Sequence, residues 1–226
     1  MPGCPVRRRA EVLLFDLDGT LVDSAPDLAG AANDLRDQHG LPPLPYAALR
    51  PMVGTGARGM VGVAFGVAPD DARFVDLRDA FLARYAERLL AHTRVFDAMH
   101  AVLDHLDARG QRWGIVTNKA MCFTAPIVQG LGLAARAAVL IAGDTTPHVK
   151  PHPEPLLEAA RRLSVAPASC AYVGDDQRDI VAGRAAGMCT LAAAWGYLGQ
   201  GEPVQAWAAD VVLDSPAQLL QWLELP

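Results

Sequence analysis

The chain has 226 residues, with 25 acidic side chains against 20 basic ones, and it carries a formal charge of −5. Hydrophobic residues make up 51% of the sequence, which is typical of a folded globular protein and excludes a disordered chain. The length fits one domain, or one domain with a smaller companion, and the acidic balance argues against nucleic-acid binding, which needs clustered cations.

The amino-terminal segment contains one basic run, Arg7-Arg8-Arg9, which we interpret as a solvated tail. The apolar stretch after it is too short for a signal peptide, and no apolar run approaches the ~18 residues of a membrane span. Four cysteines are scattered without metal-binding spacing: Cys4, Cys122, Cys170 and Cys189. We therefore expect a cytoplasmic protein without membrane partners, in which Cys170 and Cys189 are buried.

Short apolar runs predict strands that are buried on both faces of a parallel sheet. The first is Val12-Leu13-Leu14-Phe15. The others lie at 113–116, 139–142, 171–173, 190–193 and 211–213. Amphipathic segments of helical length separate most of these runs, so the sequence predicts a doubly wound α/β fold.

The segment from Ser24 to about His92 breaks this alternation. It contains helical patterns, one at 28–35 and a longer one from Phe74 to Leu89, and no convincing strand. We interpret 24–92 as a small all-helical domain inserted after the first strand, with 1–23 and 93–226 forming the core. A few extra helices packed directly on the sheet are the alternative.

Polar residues follow four of the predicted strands, at the sheet edge where ligands bind in parallel α/β folds. They are Asp16, Asp18, Thr117, Asn118, Lys119, Asp144, Lys150, Asp175, Asp176 and Asp179. Clustered carboxylates repel one another unless a cation neutralises them, and a set of oxygen ligands suits Mg²⁺. A hard cation beside a lysine and a hydroxyl forms a phosphate site, where an aspartate can act as nucleophile. The pattern therefore indicates phosphoryl transfer.

The segment DLDGTLVDS at 16–24 resembles the first motif of the haloacid dehalogenase (HAD) superfamily. Thr117-Asn118 resembles the second motif, Lys150 in KPHPEPL the third, and GDDQRD at 174–179 the fourth. VDSAPDL, GDT and KPHPEPL are most similar to the phosphoglycolate phosphatase group. The resemblance implies a Rossmann-like core with an inserted helical cap.

The resemblance also implies a metal site and a pair of catalytic acids. Asp16 is expected to be the nucleophile and a Mg²⁺ ligand. Asp18 is expected to protonate the leaving oxygen and then activate water, with its backbone carbonyl on the metal. Asp175 would complete the metal site, and Asp179 would orient Lys150 or a metal-bound water. Helical spacing places Asp175 and Asp179 on one side, while Asp176 beside them is more readily explained as a helix cap.

The phosphate site implied by the resemblance consists of Gly19, Thr117, the amide of Asn118, and Lys150 as the balancing charge. Two alternatives stay open from the residues themselves. Asn118 could be a helix N-cap with only its backbone at the site. Asp144 could pair with Lys150 or be a simple loop acid.

We expect a Mg²⁺-dependent phosphatase for a small phosphorylated metabolite, 2-phosphoglycolate first. N-acetylmuramic acid 6-phosphate is the alternative, since GTGARGMV, WGIVTNK and GDDQRDI resemble the phosphatases of that compound. Both compounds carry a carboxylate, and Arg58 in the loop 50–58 is expected to clamp it.

Three other functions fit the sequence less well. A dehalogenase lacks the acid at Asp18 and needs no metal ligand at Asp175. A sugar-phosphate mutase carries a histidine soon after the first motif, whereas here the next one is His39. An inactive binding protein is disfavoured because every expected catalytic position is filled. Monomer and homodimer both remain open.

Overall fold

The chain folds around a parallel sheet, and the computed structural model describes residues 10–224 of it. The strands are β1 (Val12–Phe15), β2 (Val22–Asp23), β3 (Arg94–Val95), β4 (Arg112–Val116), β5 (Val139–Ile141), β6 (Cys170–Gly174), β7 (Cys189–Ala193) and β8 (Val211–Leu213). Six of them form one sheet in the order β5-β4-β1-β6-β7-β8, while β2 and β3 form a separate antiparallel pair. The predicted Arg7–Arg9 tail and Cys4 lie outside the described residues.

Helices cover both faces of the six-stranded sheet, which confirms the predicted α/β fold. The helices are α1 (Ala25–Gln38), α2 (Tyr46–Leu49), α3 (Gly56–Phe65), α4 (Phe74–Ala86), α5 (Asp97–Ala108), α6 (Met121–Gly130), α7 (Glu154–Leu163), α8 (Gln177–Ala185) and α9 (Pro216–Glu224). Strand β1 shows the two layers. Leu13 and Phe15 belong to one core, with residues of α5 and α9, and Val12 and Leu14 belong to the other, with residues of α7 and α8. Burial of each such side chain contributes about 1.5–3 kcal/mol, so a continuous apolar run is stable only as a central strand.

The helical segment, residues 24–92, contains α1 to α4 and no strand within the described residues. Its helices pack on one another, with α1 against both α3 and α4. The buried carboxylate of Asp27 joins its two ends, because it accepts hydrogen bonds from the backbone N–H groups of His92 at 2.9 Å and Thr93 at 2.7 Å. The division into two domains at 24 and 92 remains a prediction.

Two details of the helices differ from the sequence prediction. Helix α4 ends at Ala86, and Leu89 lies in the turns that follow, the first of which is closed by a hydrogen bond of 3.1 Å from the N–H of Arg88 to the carbonyl of Tyr85. Helix α8 begins only at Gln177, so Asp175 precedes the helix, and the spacing argument for Asp175 and Asp179 was wrong.

Three of the four cysteines lie within the described residues. Cys170 and Cys189 are buried, as predicted, and Cys122 is exposed. Within residues 10–224, every helix is too short or too polar to cross a membrane.

Candidate active site

The site lies at the carboxyl ends of three adjacent strands, β4, β1 and β6, from which Thr117, Asp16 and Asp175 follow directly. A cavity of about 340 Å³ covers this edge, and the helical segment forms its opposite wall. Its charged and polar lining consists of Asp16, Asp18, Thr55, Tyr85, Thr117, Asn118, Lys119, Lys150, Asp175, Asp176, Arg178 and Asp179. The parallel order of the sheet thus brings together residues that lie up to 163 positions apart, from 16 to 179.

Three carboxylates converge in this cavity. Oxygens of Asp16, Asp175 and Asp179 lie within 4.8 Å of one another. Burial raises the pKa of Asp16 to about 6, although Lys150 opposes the shift. Burial and the charges of Asp16 and Asp179 raise the pKa of Asp175 well above its ordinary value. The cluster is therefore unfavourably charged as it stands, which is the condition that a bound cation relieves.

The side chain of Asp18 lies outside this cluster, although Asp18 is only two positions from Asp16. Its Oδ1 accepts hydrogen bonds from the hydroxyl of Ser24 and from the ammonium of Lys119, the latter at 2.8 Å. The carboxylates of Asp16 and Asp18 therefore diverge, and Asp179 supplies the third acid of the cluster. The backbone carbonyl of Asp18 as a metal ligand remains a prediction.

The carboxylate of Asp175 is held from two sides. The hydroxyl of Thr20 donates to one oxygen at 3.0 Å, and the backbone N–H of Tyr197 donates to the other at 2.8 Å. Gly19 and Gly196 leave it room, since a Cβ at either position would lie 2.2 Å from an atom of Asp175. Gly19 also has a φ of +83°, which a side chain rarely adopts. The glycine of the first motif thus has a steric role, and its predicted contact with phosphate is untested.

Tyr197 also connects Asp175 to the start of the helical segment. Its hydroxyl accepts hydrogen bonds from the backbone N–H groups of Ser24 at 2.8 Å and Ala25 at 3.0 Å, and it donates to Asp23 at 3.1 Å. Ser24, the N-cap of α1, makes no capping bond because its hydroxyl is directed to Asp18. Tyr197 therefore supplies the capping acceptor that Ser24 does not.

Lys150 is buried among the groups that it is expected to balance. Its ammonium lies 2.9 Å from Asp16 and 2.7 Å from Asp179, and it donates to the hydroxyl of Tyr172 at 2.8 Å. Burial disfavours the charged form, but the two carboxylates outweigh it and raise the pKa of Lys150 above its ordinary value. The lysine is thus a fixed cation beside Asp16.

Asn118 holds the backbone of Lys150 and is not a helix cap. Its side-chain amide donates to the carbonyl of Lys150 and accepts from its N–H, both at 2.9 Å. Ala120 is the N-cap of α6, so the capping alternative for Asn118 was wrong. Asp144 instead accepts from the N–H of Met121 at 2.9 Å, so its suggested pairing with Lys150 was also wrong.

Asp176 caps helix α8, as predicted. Its carboxylate accepts from the N–H of Arg178 at 2.9 Å, and Asp179 accepts from the N–H of Asp176 at 3.1 Å, which completes a capping box. The guanidinium of Arg178 binds the Asp176 carboxylate at 2.8 Å and also the carbonyl of Gly54 in the helical segment. Asp179 thus contributes to the helix start and to the carboxylate cluster.

The comparisons with known proteins identify the family of this chain. The family model of haloacid dehalogenase-like hydrolases matches residues 13–193, which include the whole predicted motif set. The chain belongs to this family.

Two curated relatives of this HAD-like hydrolase differ in their named substrates. A phosphoglycolate phosphatase of Xanthomonas campestris pv. campestris (strain 8004) is 48% identical over 213 residues, 94% of this chain and 96% of that protein. An N-acetylmuramic acid 6-phosphate phosphatase of Pseudomonas aeruginosa is 41% identical over 218 residues, 96% of each chain. The expected class of enzyme, a phosphoric monoester hydrolase similar to phosphoglycolate phosphatases, is confirmed.

A solved structure supports the fold as well. A protein of Haemophilus somnus 129PT, described as a predicted phosphoglycolate phosphatase, has a TM-score of 0.85 at 27% identity. The match covers 96% of this chain and 100% of that one. The HAD fold thus extends over nearly the whole chain.

Lys119 is a residue of this HAD-like hydrolase for which the sequence analysis gave no role. Its ammonium donates to Asp18 at 2.8 Å and to the hydroxyl of Tyr85 at 2.7 Å, and it lies 4.7 Å from the centre of the Tyr85 ring. Burial opposes its charge, but Asp18 and Tyr85 raise the pKa of Lys119 above its ordinary value. One signal could have found it: the chain has 18 arginines but only two lysines, Lys119 and Lys150, and both line the cavity.

Arg58, like Gly19 among the predicted site residues, is not part of the cavity lining. It is exposed on α3, while its neighbours Thr55, Gly56 and Ala57 line the wall. Its predicted contact with a substrate carboxylate remains a prediction.

Proposed function

We propose that this HAD-like hydrolase is a Mg²⁺-dependent phosphatase that hydrolyses 2-phosphoglycolate through an aspartyl phosphate on Asp16. The observation that supports it most is the environment of Asp16. Its Oδ1 is buried and lies 2.9 Å from the Lys150 ammonium, its ion-pair partner. A buried carboxylate oxygen held beside a fixed cation is suited to attack phosphorus or to ligate a metal ion.

The charges around the cavity fit a divalent cation. Five carboxylates (Asp16, Asp18, Asp175, Asp176 and Asp179) face three cationic side chains (Lys119, Lys150 and Arg178). The potential metal ligands in the cluster around Asp16 are all carboxylate oxygens, which favours Mg²⁺. Asp16, Asp175 and the carbonyl of Asp18 would hold the ion, with Asp179 beside them. When bound, Mg²⁺ supplies positive charge for the carboxylates and for the phosphoryl oxygens.

In the first half of the proposed reaction, the Asp16 carboxylate attacks phosphorus and the ester bond breaks. Asp18 gives its proton to the ester oxygen, so that the alcohol leaves in neutral form. Thr117 and the N–H of Asn118 hold the phosphoryl oxygens. Lys150 stays protonated beside Asp16 and offsets the charge that the phosphoryl group brings.

In the second half, Asp18 takes a proton from a water molecule, and this water attacks the phosphorus of the aspartyl phosphate. The bond from Asp16 to phosphorus breaks, inorganic phosphate leaves, and Asp16 and Asp18 return to their starting states. Lys119 and Ser24 hold the Asp18 carboxylate during both steps. Asp16 is held differently, between Lys150 and the other acids, and this difference supports separate roles for the two aspartates.

The choice of substrate rests on the relatives and on the size of the cavity. At about 340 Å³ the cavity lies at the small end of ligand pockets, which suits a two-carbon acid phosphate. The alternative, N-acetylmuramic acid 6-phosphate, is supported by the relative at 41% identity. We place the enzyme in the cytoplasm, because its four cysteines are scattered along the sequence, which is typical of a reducing compartment.

Kinetics on the two esters side by side test the substrate. We expect a higher kcat/KM for 2-phosphoglycolate than for N-acetylmuramic acid 6-phosphate, and no turnover of either by the Asp16→Asn variant. A higher kcat/KM for N-acetylmuramic acid 6-phosphate would contradict 2-phosphoglycolate as the substrate and would support the amino-sugar phosphate instead. Failure of the wild-type enzyme to hydrolyse any phosphate monoester in the presence of Mg²⁺ would contradict the proposed function.

A further inference from the structure

Lys119 is a largely buried cavity cation whose hydrogen-bonding capacity is not used up by the described residues, whereas Arg178, which is bound to Asp176 and Gly54, is 38% exposed. Lys150 already contacts Asp16, Asp179, the Tyr172 hydroxyl and a backbone carbonyl. An ammonium has three N–H donors, and those of Lys119 have two acceptors within residues 10–224, Asp18 and Tyr85. One donor therefore remains at the wall of the cavity, on a side chain that is 8% exposed.

The ammonium of Lys119 is fixed from both sides of the cavity. Asp18 holds it from the core, while Tyr85 holds it from α4 in the helical segment. The ring of Tyr85 in turn packs against Phe123, with ring centres 5.5 Å apart. Because both partners are largely buried, the cation is in place before a ligand enters, and binding costs little side-chain entropy.

The position of this free donor indicates which part of a substrate it reaches. The ammonium lies 2.8 Å from the Asp18 carboxylate, which in the proposed reaction gives its proton to the ester oxygen. A carboxylate on the carbon next to that oxygen therefore comes within reach of Lys119. In an amino-sugar 6-phosphate, the carboxylate of the lactyl group lies across the sugar ring, beyond this position.

We propose that Lys119 is the specificity-determining residue of this site and binds the carboxylate of 2-phosphoryloxy acids, with Tyr85 as its positioning residue. The inference rests on the proposed function and names the substrate group that the site recognises, the carboxylate.

The presence of lysine at this position, and not arginine, is consistent with the inference. A lysine is a compact point charge that serves two fixed partners and a third acceptor, whereas the planar guanidinium of arginine, used at 18 positions elsewhere in the chain, spreads its donors over a wider fork.

The test compares 2-phosphoglycolate with ethyl phosphate, which has the same carbon chain length but no carboxylate. In Lys119→Met, we expect the ratio of kcat/KM for 2-phosphoglycolate over ethyl phosphate to fall at least about tenfold, mainly through KM. Tyr85→Phe should lower the ratio in the same direction by a smaller factor. The exposed Arg109 offers a control, and Arg109→Met should leave the ratio unchanged.

An equal loss of kcat/KM on both esters would show that Lys119 only positions Asp18, and it would overturn the inference. A wild-type ratio near one would overturn it too, while the phosphatase function would stand. If the wild-type enzyme hydrolyses neither ester nor any other phosphate monoester, the proposed function fails, and the inference fails with it.

A second measurement avoids any change at Lys119. The Asp16→Asn variant with ¹³Cε-labelled lysine should give two lysine side-chain signals in NMR, because the chain has two lysines. We expect the Lys150 signal to shift with both esters and the Lys119 signal to shift with 2-phosphoglycolate alone. Assignment follows from Lys119→Arg in the same background. A Lys119 signal that responds equally to both esters, or to neither while Lys150 responds, would overturn the inference.

Discussion

The side-chain amide of Asn118 and the backbone of Lys150 exchange two hydrogen bonds of 2.9 Å each. This reciprocal pair joins the loop after β4 to the loop after β5. It fixes the main chain from which the Lys150 ammonium reaches Asp16. The second sequence motif therefore acts on the third through its side chain.

Replacement of Asn118 by leucine should lower both stability and turnover. The change removes both hydrogen bonds, and we expect a loss of about 1–3 kcal/mol in the free energy of unfolding. We also expect kcat to fall about tenfold or more, because Lys150 is no longer held beside Asp16. Urea unfolding and steady-state kinetics measure the two effects.

A matched control exists in the helical segment. Asn33 makes the same reciprocal pair with the backbone of Leu44, at 3.1 and 2.8 Å, outside the cavity lining. Asn33→Leu should cost a similar amount of stability and leave kcat nearly unchanged. An equal fall of kcat in both variants would show that the Asn118 effect is one of stability alone.

Removal of the metal should abolish activity. The excess of carboxylates around Asp16 leads us to expect no turnover in EDTA, full recovery with Mg²⁺, and weaker recovery with the larger Ca²⁺. Phosphate release after chelation and add-back measures this. Full activity in chelator would contradict the metal site.

The Asp16→Asn variant should melt at a higher temperature than the wild type in chelator at pH 7.5. Burial raises the pKa of Asp16 to about 6 in the folded protein, so the charged form destabilises the fold above that pH. As the pH falls toward 4.5, the folded wild type takes up this proton and is stabilised, so the advantage of Asn should shrink. Melting curves at the two pH values measure it. An equal difference at both pH values, or a lower Tm for the variant at pH 7.5, would be the contrary result.

Arg58 and Lys119 give opposite expectations for the same pair of esters. If Arg58 clamps the carboxylate, Arg58→Ala should hurt 2-phosphoglycolate far more than ethyl phosphate. Arg58 is exposed and lies outside the cavity lining. Because an exposed charge contributes little to the binding free energy, we expect instead that the ratio of the two kcat/KM values changes less than about twofold. A tenfold fall in the ratio for Arg58→Ala would contradict this expectation and would support Arg58 as the residue that binds the substrate carboxylate.

The strands and most of the site were predictable because both depend on local sequence. A continuous apolar run such as Val12–Phe15 is stable only between two layers, and polar residues at its carboxyl end must face the ligand edge. The pair β2–β3 was missed because two-residue strands have no periodicity. The same limit applies to Lys119, whose role depends on Tyr85, a partner 34 positions away on α4. The position of Arg58 outside the cavity lining likewise depends on how the helical segment packs, which local patterns do not show.

Direct trapping of an aspartyl phosphate tests the central claim. The Asp18→Asn variant should still be phosphorylated by p-nitrophenyl phosphate, whose leaving group needs no proton, but it should hydrolyse the intermediate slowly. Acid quench, borohydride reduction and peptide mass spectrometry should then find homoserine at position 16, and none in a variant that also carries Asp16→Asn. Release of p-nitrophenol with modification at another carboxylate, or with none at position 16, would contradict the assignment of Asp16 as the nucleophile.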